Sequence, residues 1–196
     1  MYAATVVTFT RLVKAPRSCV LSAGAFPSCV GMATCGRINL YRSIAASIVQ
    51  SGLSVSDLLS LTYGDIKEEF EKGTTPICLS LTRKKTGVSF ITFLGSWFVK
   101  LLKDYLAHEK LDNETPIYNV SSRAVHAYFH KTAEKFAGHI KGRNPYSPHS
   151  LRAAFRTFLS DHKVDPLYIE YWRGHALPGT TGRLHKQKHR KLAPNL

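Results

Sequence analysis

The chain has 196 residues, 44% of them hydrophobic and 11% aromatic, which is ordinary for a soluble domain with one substantial core. Its formal net charge of +14 favours a polyanionic partner, because lysines and arginines that face phosphates release counterions on binding. The sequence contains no transmembrane span, so we expect no membrane partner.

The basic excess lies at the two ends of the chain. All thirteen acidic residues fall between Asp57 and Glu170, and nine of the 27 lysines and arginines lie outside residues 39–182, which leaves the middle at about +5. We therefore expect one folded domain over residues 39–182, an irregular segment without an independent fold over residues 1–38, and a disordered basic tail over residues 183–196.

The cysteines predict neither a metal site nor disulfides. Cys19, Cys29 and Cys35 lie in the N-terminal segment with spacings unlike those of common zinc sites, and Cys78 stands alone in a predicted strand. We expect reduced thiols, no metal and a cytoplasmic protein.

Hydrophobic periodicity predicts two helices and then two strands, over residues 40–50, 55–61, 76–81 and 88–93. The strands flank a basic turn and read as a hairpin. Such a hairpin would lift Lys84 and Lys85 away from the core toward a ligand. On the residues alone, a turn that is merely solvated is the alternative.

The rest of the predicted domain is helical. One helix follows Gly95, marked by an apolar face of Trp97, Phe98, Leu101, Leu102, Tyr105 and Leu106. A second covers residues 121–137. Two more begin at Pro148 and Pro166, where Ser147 and Asp165 are suitable N-caps. The fold class that follows is mainly α with a small antiparallel β-sheet (α+β).

The helix that begins at Pro148 places His149, Arg152 and Arg156 on one face. An adjacent apolar stripe would anchor the helix in the core, formed by Leu151, Phe155, Phe158 and Leu159. A guanidinium held this way can donate two parallel hydrogen bonds to phosphate oxygens. An amphipathic helix with a solvated basic face is the alternative, since the pattern is short.

Residues 148–152, followed by Gly174 and His175, resemble the C-terminal active-site boxes of the tyrosine recombinases, most closely the integrases of archaeal viruses and mobile elements. Residues 51–66 are similar to the first box of that family, and residues 83–88 resemble its lysine-bearing hairpin. All four stretches occur in the family's order and spacing, and together they cover residues 40–182.

This resemblance implies that a tyrosine attacks a DNA phosphate, with no metal or nucleotide cofactor. It implies double-stranded DNA as partner, a homo-oligomer on that DNA, and a DNA-associated location. The catalytic residues it implies are Lys85 as acid for the leaving group, His149 as acid/base, Arg152 as the second arginine and His175 as a phosphate contact. The DNA-binding residues it implies are Arg83, Lys84 and Arg156.

Two positions depart from the family pattern. Ser54 stands where the family has its first arginine, and Ser54 also reads as the N-cap of the second helix, with Asp57 completing a capping box. The nucleophilic tyrosine is expected near position 184, which is Leu184, and no tyrosine follows Tyr171. Tyr168 and Tyr171 read as core or helix-surface aromatics.

Three hypotheses follow. The first is an integrase catalytic domain that is active when a partner chain supplies the missing groups. The second, which we favour, is a truncated or degenerate integrase that retains the fold and DNA affinity without strand cleavage. The third is a non-catalytic basic nucleic-acid-binding protein in which the motifs are accidental.

Overall fold

The computed structural model describes the backbone of residues 30–106, 111–137, 142 and 144–177, and the side chains of these residues except 30–37, 136 and 137. In chain order the elements are α1 (Val30–Ser51), α2 (Val55–Leu58), a 3-10 turn (Tyr63–Asp65), α3 (Lys67–Lys72), β1 (Ile77–Thr82), β2 (Ser89–Leu94), α4 (Ser96–Leu106), α5 (Ser122–Ala137), α6 (Pro148–Asp161) and α7 (Pro166–Trp172). This arrangement confirms the mainly helical fold class with a small antiparallel sheet.

The first helix is longer than the sequence predicts. α1 begins at Val30 rather than near residue 40. Its early part contains Gly31 and Gly36, which have low helix propensity, and no regular apolar face, so periodicity does not mark it.

α1 lies at the centre of the core and packs against α2, α4, α6 and β2. Ile44 and Ile48 are fully buried on it. Ser43 and Ser47 are buried too, and both hydrogen-bond to the hydroxyl of Tyr118, at 2.6 and 3.1 Å. Because a buried polar group is tolerated only when it is paired, these bonds fix α1 against the segment that precedes α5.

The two strands form the predicted antiparallel hairpin, each shifted by one residue from its predicted bounds. Ile77 pairs with Leu94, and Thr82 pairs with Ser89. The Arg83 N–H donates to the Val88 carbonyl at 2.9 Å and closes the turn. The side chains of the turn between them are therefore exposed, as the sequence predicts.

α6 and α7 begin as predicted. Ser147 Oγ accepts a hydrogen bond from the Ser150 N–H, Asp165 Oδ1 accepts one from the Leu167 N–H, and a proline starts each helix.

The predicted apolar stripe of α6 is wrong at one residue. Leu151, Phe155 and Leu159 are buried, but Phe158 is 52% exposed. Phe158 lies at the edge of the stripe, and its ring packs on His162 with 4.2 Å between ring centroids.

α2 is a single turn and ends before the predicted residue 61. The Ser60 hydroxyl donates to the Asp57 carbonyl at 2.7 Å, and the Leu61 carbonyl accepts from the Ile117 N–H at 2.9 Å. The chain thereby leaves the helix after one turn and joins the segment before α5.

Several predictions lie outside the described residues: the basic tail, position 184, and the thiols of Cys19, Cys29 and Cys35. Cys78 is a partly buried cysteine in β1. Among the helices of the described part of the chain, none is long and apolar enough to cross a membrane.

Candidate phosphate-binding site

Arg152 is the structural centre of the candidate site. Arg152 is only 5% exposed, although the sequence places it on the same helix face as His149 and Arg156. Nη1 donates to the carbonyl of Gly52 and Nη2 to the carbonyl of Arg173, both at 2.6 Å. One guanidinium thus joins α6 to the break between α1 and α2 and to the end of α7. A solvated basic face is the wrong interpretation for Arg152.

Two glycines let the backbone of the site pack closely against aromatic rings. Gly52 has φ +64°, and a Cβ there would lie 2.4 Å from the Phe155 ring. Gly174 has φ +70°, and a Cβ there would lie 2.9 Å from the Phe90 ring. Since both the left-handed conformation and the close packing exclude a side chain, glycine is required at each position.

His175 lies against Arg152 and is oriented by Glu170. Arg152 Nη2 is 3.2 Å from His175 Nε2, and His175 Nδ1 hydrogen-bonds to a carboxylate oxygen of Glu170. A guanidinium can only donate, so Nε2 must accept and the proton must sit on Nδ1. In this arrangement the imidazole is neutral.

The pKa values agree with that protonation state. Burial lowers the pKa of His175, and although the hydrogen bond to Glu170 raises it, the net direction is below the ordinary value. Burial raises the pKa of Glu170, but the hydrogen bond from His175 and the charge of Arg173 outweigh burial and lower it overall. The pair is therefore a neutral imidazole beside an ionised carboxylate near neutral pH.

Glu170 also binds two arginines. Arg173 Nη1 donates to both carboxylate oxygens, at 3.0 and 3.3 Å, and Arg156 Nε lies 3.4 Å from one of them. The Arg156 side chain is 62% exposed, so it lies on the outer side of this carboxylate. Arg173 is buried, and the sequence motifs did not single it out even though it adjoins Gly174 and His175.

Ser54 is the N-cap of α2, as predicted. Its Oγ accepts from the Asp57 N–H at 3.2 Å and donates to Asp57 Oδ2 at 2.7 Å. The Asp57 carboxylate is buried, and its Oδ1 accepts from the Lys84 N–H at 3.4 Å. Asp57 therefore ties the start of α2 to the hairpin turn.

Arg83 connects the same turn to the segment after α7. Its Nη1 donates to the Gly174 carbonyl at 3.2 Å, and its Nε lies 3.8 Å from Asp57 Oδ2. The Arg83 side chain is 18% exposed. Arg83 and Arg152 thus bind neighbouring carbonyls, those of Gly174 and Arg173.

We refer to these six residues as the inner cluster: Asp57, Arg83, Arg152, Glu170, Arg173 and His175. With a neutral imidazole, three guanidinium groups face two carboxylates, so one positive charge is in excess.

Arg152 has no carboxylate oxygen of the described residues within the 4.0 Å ion-pair distance. Burial lowers the pKa of Arg152 to about 10, and the charges of Arg173 and Arg83 act in the same direction. Arg152 remains charged near neutral pH. The charges of Asp57 and Glu170 oppose this shift from beyond the ion-pair distance. A buried cation without a carboxylate at that distance can bind an anion.

The remaining predicted residues form an exposed rim, which consists of His149, Lys84 and Lys85. His149 lies one helical turn before Arg152 on α6, and Lys85 lies at the tip of the hairpin turn. Neither side chain makes a hydrogen bond or ion pair with the described residues. The structure therefore brings Arg83, Arg152 and His175 together, with Ser54 joined to them through Asp57.

Comparison with known proteins identifies the family. The chain matches the Phage integrase family over residues 36–190. A search of curated proteins found no match.

Three solved structures share the fold. The XerA recombinase is 19% identical with a TM-score of 0.53, over 100% of this chain and 74% of that one. The XerH recombinase bound to palindromic difH substrate is 21% identical with a TM-score of 0.55, over 81% of this chain and 46% of XerH. The Tn1549 transposon integrase with transposon right end DNA is 15% identical with a TM-score of 0.52, over 92% of this chain and 71% of that integrase. The chain belongs to the phage integrase family of tyrosine recombinases and has the fold of their catalytic domain.

Proposed function

We propose that this chain binds duplex DNA as an integrase-type tyrosine recombinase and that the inner cluster holds a backbone phosphate. The observation that carries this proposal is the buried Arg152 guanidinium, which has no carboxylate partner among the described residues. XerH and the Tn1549 integrase are bound to DNA in their solved structures, which supports the same partner here. Assembly as a homo-oligomer on DNA, in the cytoplasm, belongs to this proposal.

The chemistry of the site suits a phosphate that gains charge. Fixed guanidinium donors stabilise negative charge on non-bridging oxygens without reorganising during the reaction. The rim residues complete the proposed assignment: Lys85 protonates the departing oxygen, His149 transfers protons, and Lys84 contacts the DNA backbone. Arg156 lies on the outer side of Glu170 and is assigned to the DNA backbone as well.

His175 must change its protonation state to donate to a phosphate. In the neutral form Nε2 accepts from Arg152, so it offers no hydrogen there. Protonation gives Nε2 a hydrogen, while Nδ1 keeps its hydrogen bond to Glu170. A bound phosphate raises the pKa of His175, so binding takes up a proton and strengthens as the pH falls through the histidine range.

We propose further that this chain does not cut DNA alone. Tyr171 is buried at 3% exposure, and burial raises the pKa of its phenol, which disfavours the nucleophilic form. Tyr168 lies on α7 with its ring stacked on Trp172. Position 184, where the resemblance places the nucleophilic tyrosine, is leucine. A partner chain would have to supply the nucleophile.

Duplex binding by matched variants tests the first part of the proposal. Arg152→Lys keeps the charge but loses the planar fork, so we expect about tenfold weaker binding by fluorescence anisotropy, equivalent to about 1.4 kcal/mol. Arg123→Lys makes the same change at an exposed site on α5 and should bind as the unmodified protein does. Equal behaviour of the two variants would favour a generic basic nucleic-acid-binding protein.

A nicked suicide duplex tests the second part. After denaturing electrophoresis we expect no protein–DNA adduct from the chain alone. An adduct would contradict the loss of cleavage, and its disappearance in a Tyr168→Phe or Tyr171→Phe variant would identify a displaced nucleophile. An adduct formed only when a tyrosine-bearing relative is added would support donation in trans.

A further inference from the structure

Arg83 occupies an unexpected position in the inner cluster. It lies on the hairpin turn, far in sequence from α6 and α7, yet it binds the Gly174 carbonyl while Arg152 binds the Arg173 carbonyl. These two acceptors belong to consecutive residues. The two guanidinium groups therefore bind the same short stretch of backbone, from different elements.

The contacts of Arg83 are incomplete. Its closest carboxylate oxygen, on Asp57, lies at 3.8 Å, which is long for a hydrogen bond. Asp57 bonds more closely to the hydroxyl of Ser54, at 2.7 Å. Nη2 of Arg83 has no hydrogen-bond partner among the described residues. An exposed fraction of 18% lets a ligand reach the side chain.

Ser54 explains why Arg83 fits here. The short hydroxyl side chain caps α2 and donates to Asp57 Oδ2, which Arg83 Nε also approaches, while Oδ1 is left to the Lys84 N–H of the hairpin turn. A long cationic side chain at position 54 would compete with Arg83 for this carboxylate. A small residue at position 54 and an arginine at position 83 are thus complementary.

We infer that Arg83, held by Asp57 and the Gly174 carbonyl, contacts the bound phosphate with a guanidinium in addition to that of Arg152. Arg83 would thus take the role of the arginine that Ser54 replaces. This inference rests on the proposed function, because it assigns a contact within the proposed phosphate site. Two guanidinium groups from different elements would hold a phosphate between them, with Arg152 on the α6 side and Arg83 on the hairpin side.

Binding of inorganic phosphate, measured by isothermal titration and by thermal stabilisation, tests this inference. Arg83→Met should weaken phosphate binding about tenfold, as expected for one charge-assisted hydrogen-bond pair. Arg83→Lys keeps the charge without the fork and should give an intermediate affinity. Arg123→Met removes the same charge from the exposed face of α5 and should leave phosphate binding unchanged.

An arginine swap guards against a purely structural effect. If Arg83→Met only loosened the hairpin, adding Ser54→Arg would not help. If a second guanidinium is what the site needs, the double variant Ser54→Arg with Arg83→Met should recover most of the lost affinity.

The outcomes separate this inference from the proposed function. Normal phosphate binding by both Arg83→Met and Arg83→Lys, with weak binding by Arg152→Lys, overturns the role of Arg83 and leaves the proposed site intact. Normal phosphate binding by all three variants overturns both the role of Arg83 and the proposed phosphate site. Weak binding by Arg83→Met without recovery in the double variant reduces Arg83 to a structural role and also overturns the inference.

Discussion

The inner cluster and the rim differ in how firmly the fold holds them. Arg152 is fixed by two backbone carbonyls at 2.6 Å. Beside it, Arg173 and His175 share the carboxylate of Glu170. The side chains of His149 and Lys85 at the rim are exposed and make no hydrogen bond or ion pair within the described chain. Changes in the inner cluster should therefore affect both stability and phosphate binding, whereas changes at the rim should affect binding or rate alone.

The largest expected effect comes from the glycine that brings the backbone to Arg152. Gly52→Ala combines a left-handed backbone at φ +64° with a Cβ only 2.4 Å from the Phe155 ring. We expect a loss of about 3 kcal/mol or more in the free energy of unfolding, measured by urea denaturation.

Gly87→Ala is the matched control for that substitution. Gly87 also has a left-handed backbone, at φ +66°, but a Cβ there would meet nothing within 4 Å. We expect a loss of about 1 kcal/mol from backbone strain alone. Equal losses in the two variants would show that close packing at Gly52 does not support the inner cluster.

A smaller effect is expected at the buried carboxylate that ties α2 to the hairpin. Asp57→Asn keeps the size of the side chain but removes the charge that faces Arg83 and weakens the bonds to Ser54 and the Lys84 N–H. We expect a loss of about 1–3 kcal/mol in the free energy of unfolding. Asp65→Asn, at the exposed 3-10 turn, is the control and should lose less. An Asp57→Asn variant that is as stable as the unmodified protein would contradict the role of Asp57.

Glu170→Gln should change the titration of His175 more than the stability. The carboxylate raises the pKa of His175 against burial and the nearby arginines, so its neutralisation should lower that pKa further. Stronger phosphate binding at low pH should then begin at a lower pH than in the unmodified protein. NMR titration of the His175 ring protons measures this directly.

Glu134→Gln provides the control for that titration, because Glu134 forms a carboxylate–histidine pair with His130 at 3.5 Å on α5, outside the inner cluster. The His175 titration should be unchanged in this variant. A His175 pKa that rises in Glu170→Gln would contradict the orientation of the imidazole described above.

The smallest effect on stability is expected at the rim. Lys85→Met should change the free energy of unfolding by no more than about 0.5 kcal/mol, because the side chain is exposed. Duplex binding should weaken and lose about one unit of its salt slope if Lys85 faces a phosphate. Unfolding in urea and a salt titration check the two statements. A large loss of stability would show that the rim is held as firmly as the inner cluster.

Local signals in the sequence predicted much of the fold. Ser54, Ser147 and Asp165 cap their helices as predicted, because capping depends on residues within one turn. The hairpin follows from two apolar runs that flank a basic turn. The start of α1 at Val30 could not be predicted, because its first turns contain two glycines of low helix propensity. The exposure of Phe158 could not be predicted either, because it depends on how the edge of the apolar stripe of α6 packs.

The inner cluster was less accessible to sequence reasoning. Arg152, Arg156 and His149 share one helical face in the sequence, yet only Arg152 is buried. What distinguishes Arg152 are acceptors 100 and 21 residues away, at Gly52 and Arg173. Such contacts exist only once the elements have packed. The resemblance to a family located the region, but it did not indicate Arg173 or the contacts of Asp57 with the hairpin turn.

A crystal structure of the chain with a short duplex tests the central claim most directly. We predict a backbone phosphate oxygen within about 3 Å of Arg152 Nη1 or Nη2, and hydrogen-bonded to His175 Nε2. A complex in which the DNA is bound along other basic surfaces while the Arg152 pocket holds no phosphate would contradict it.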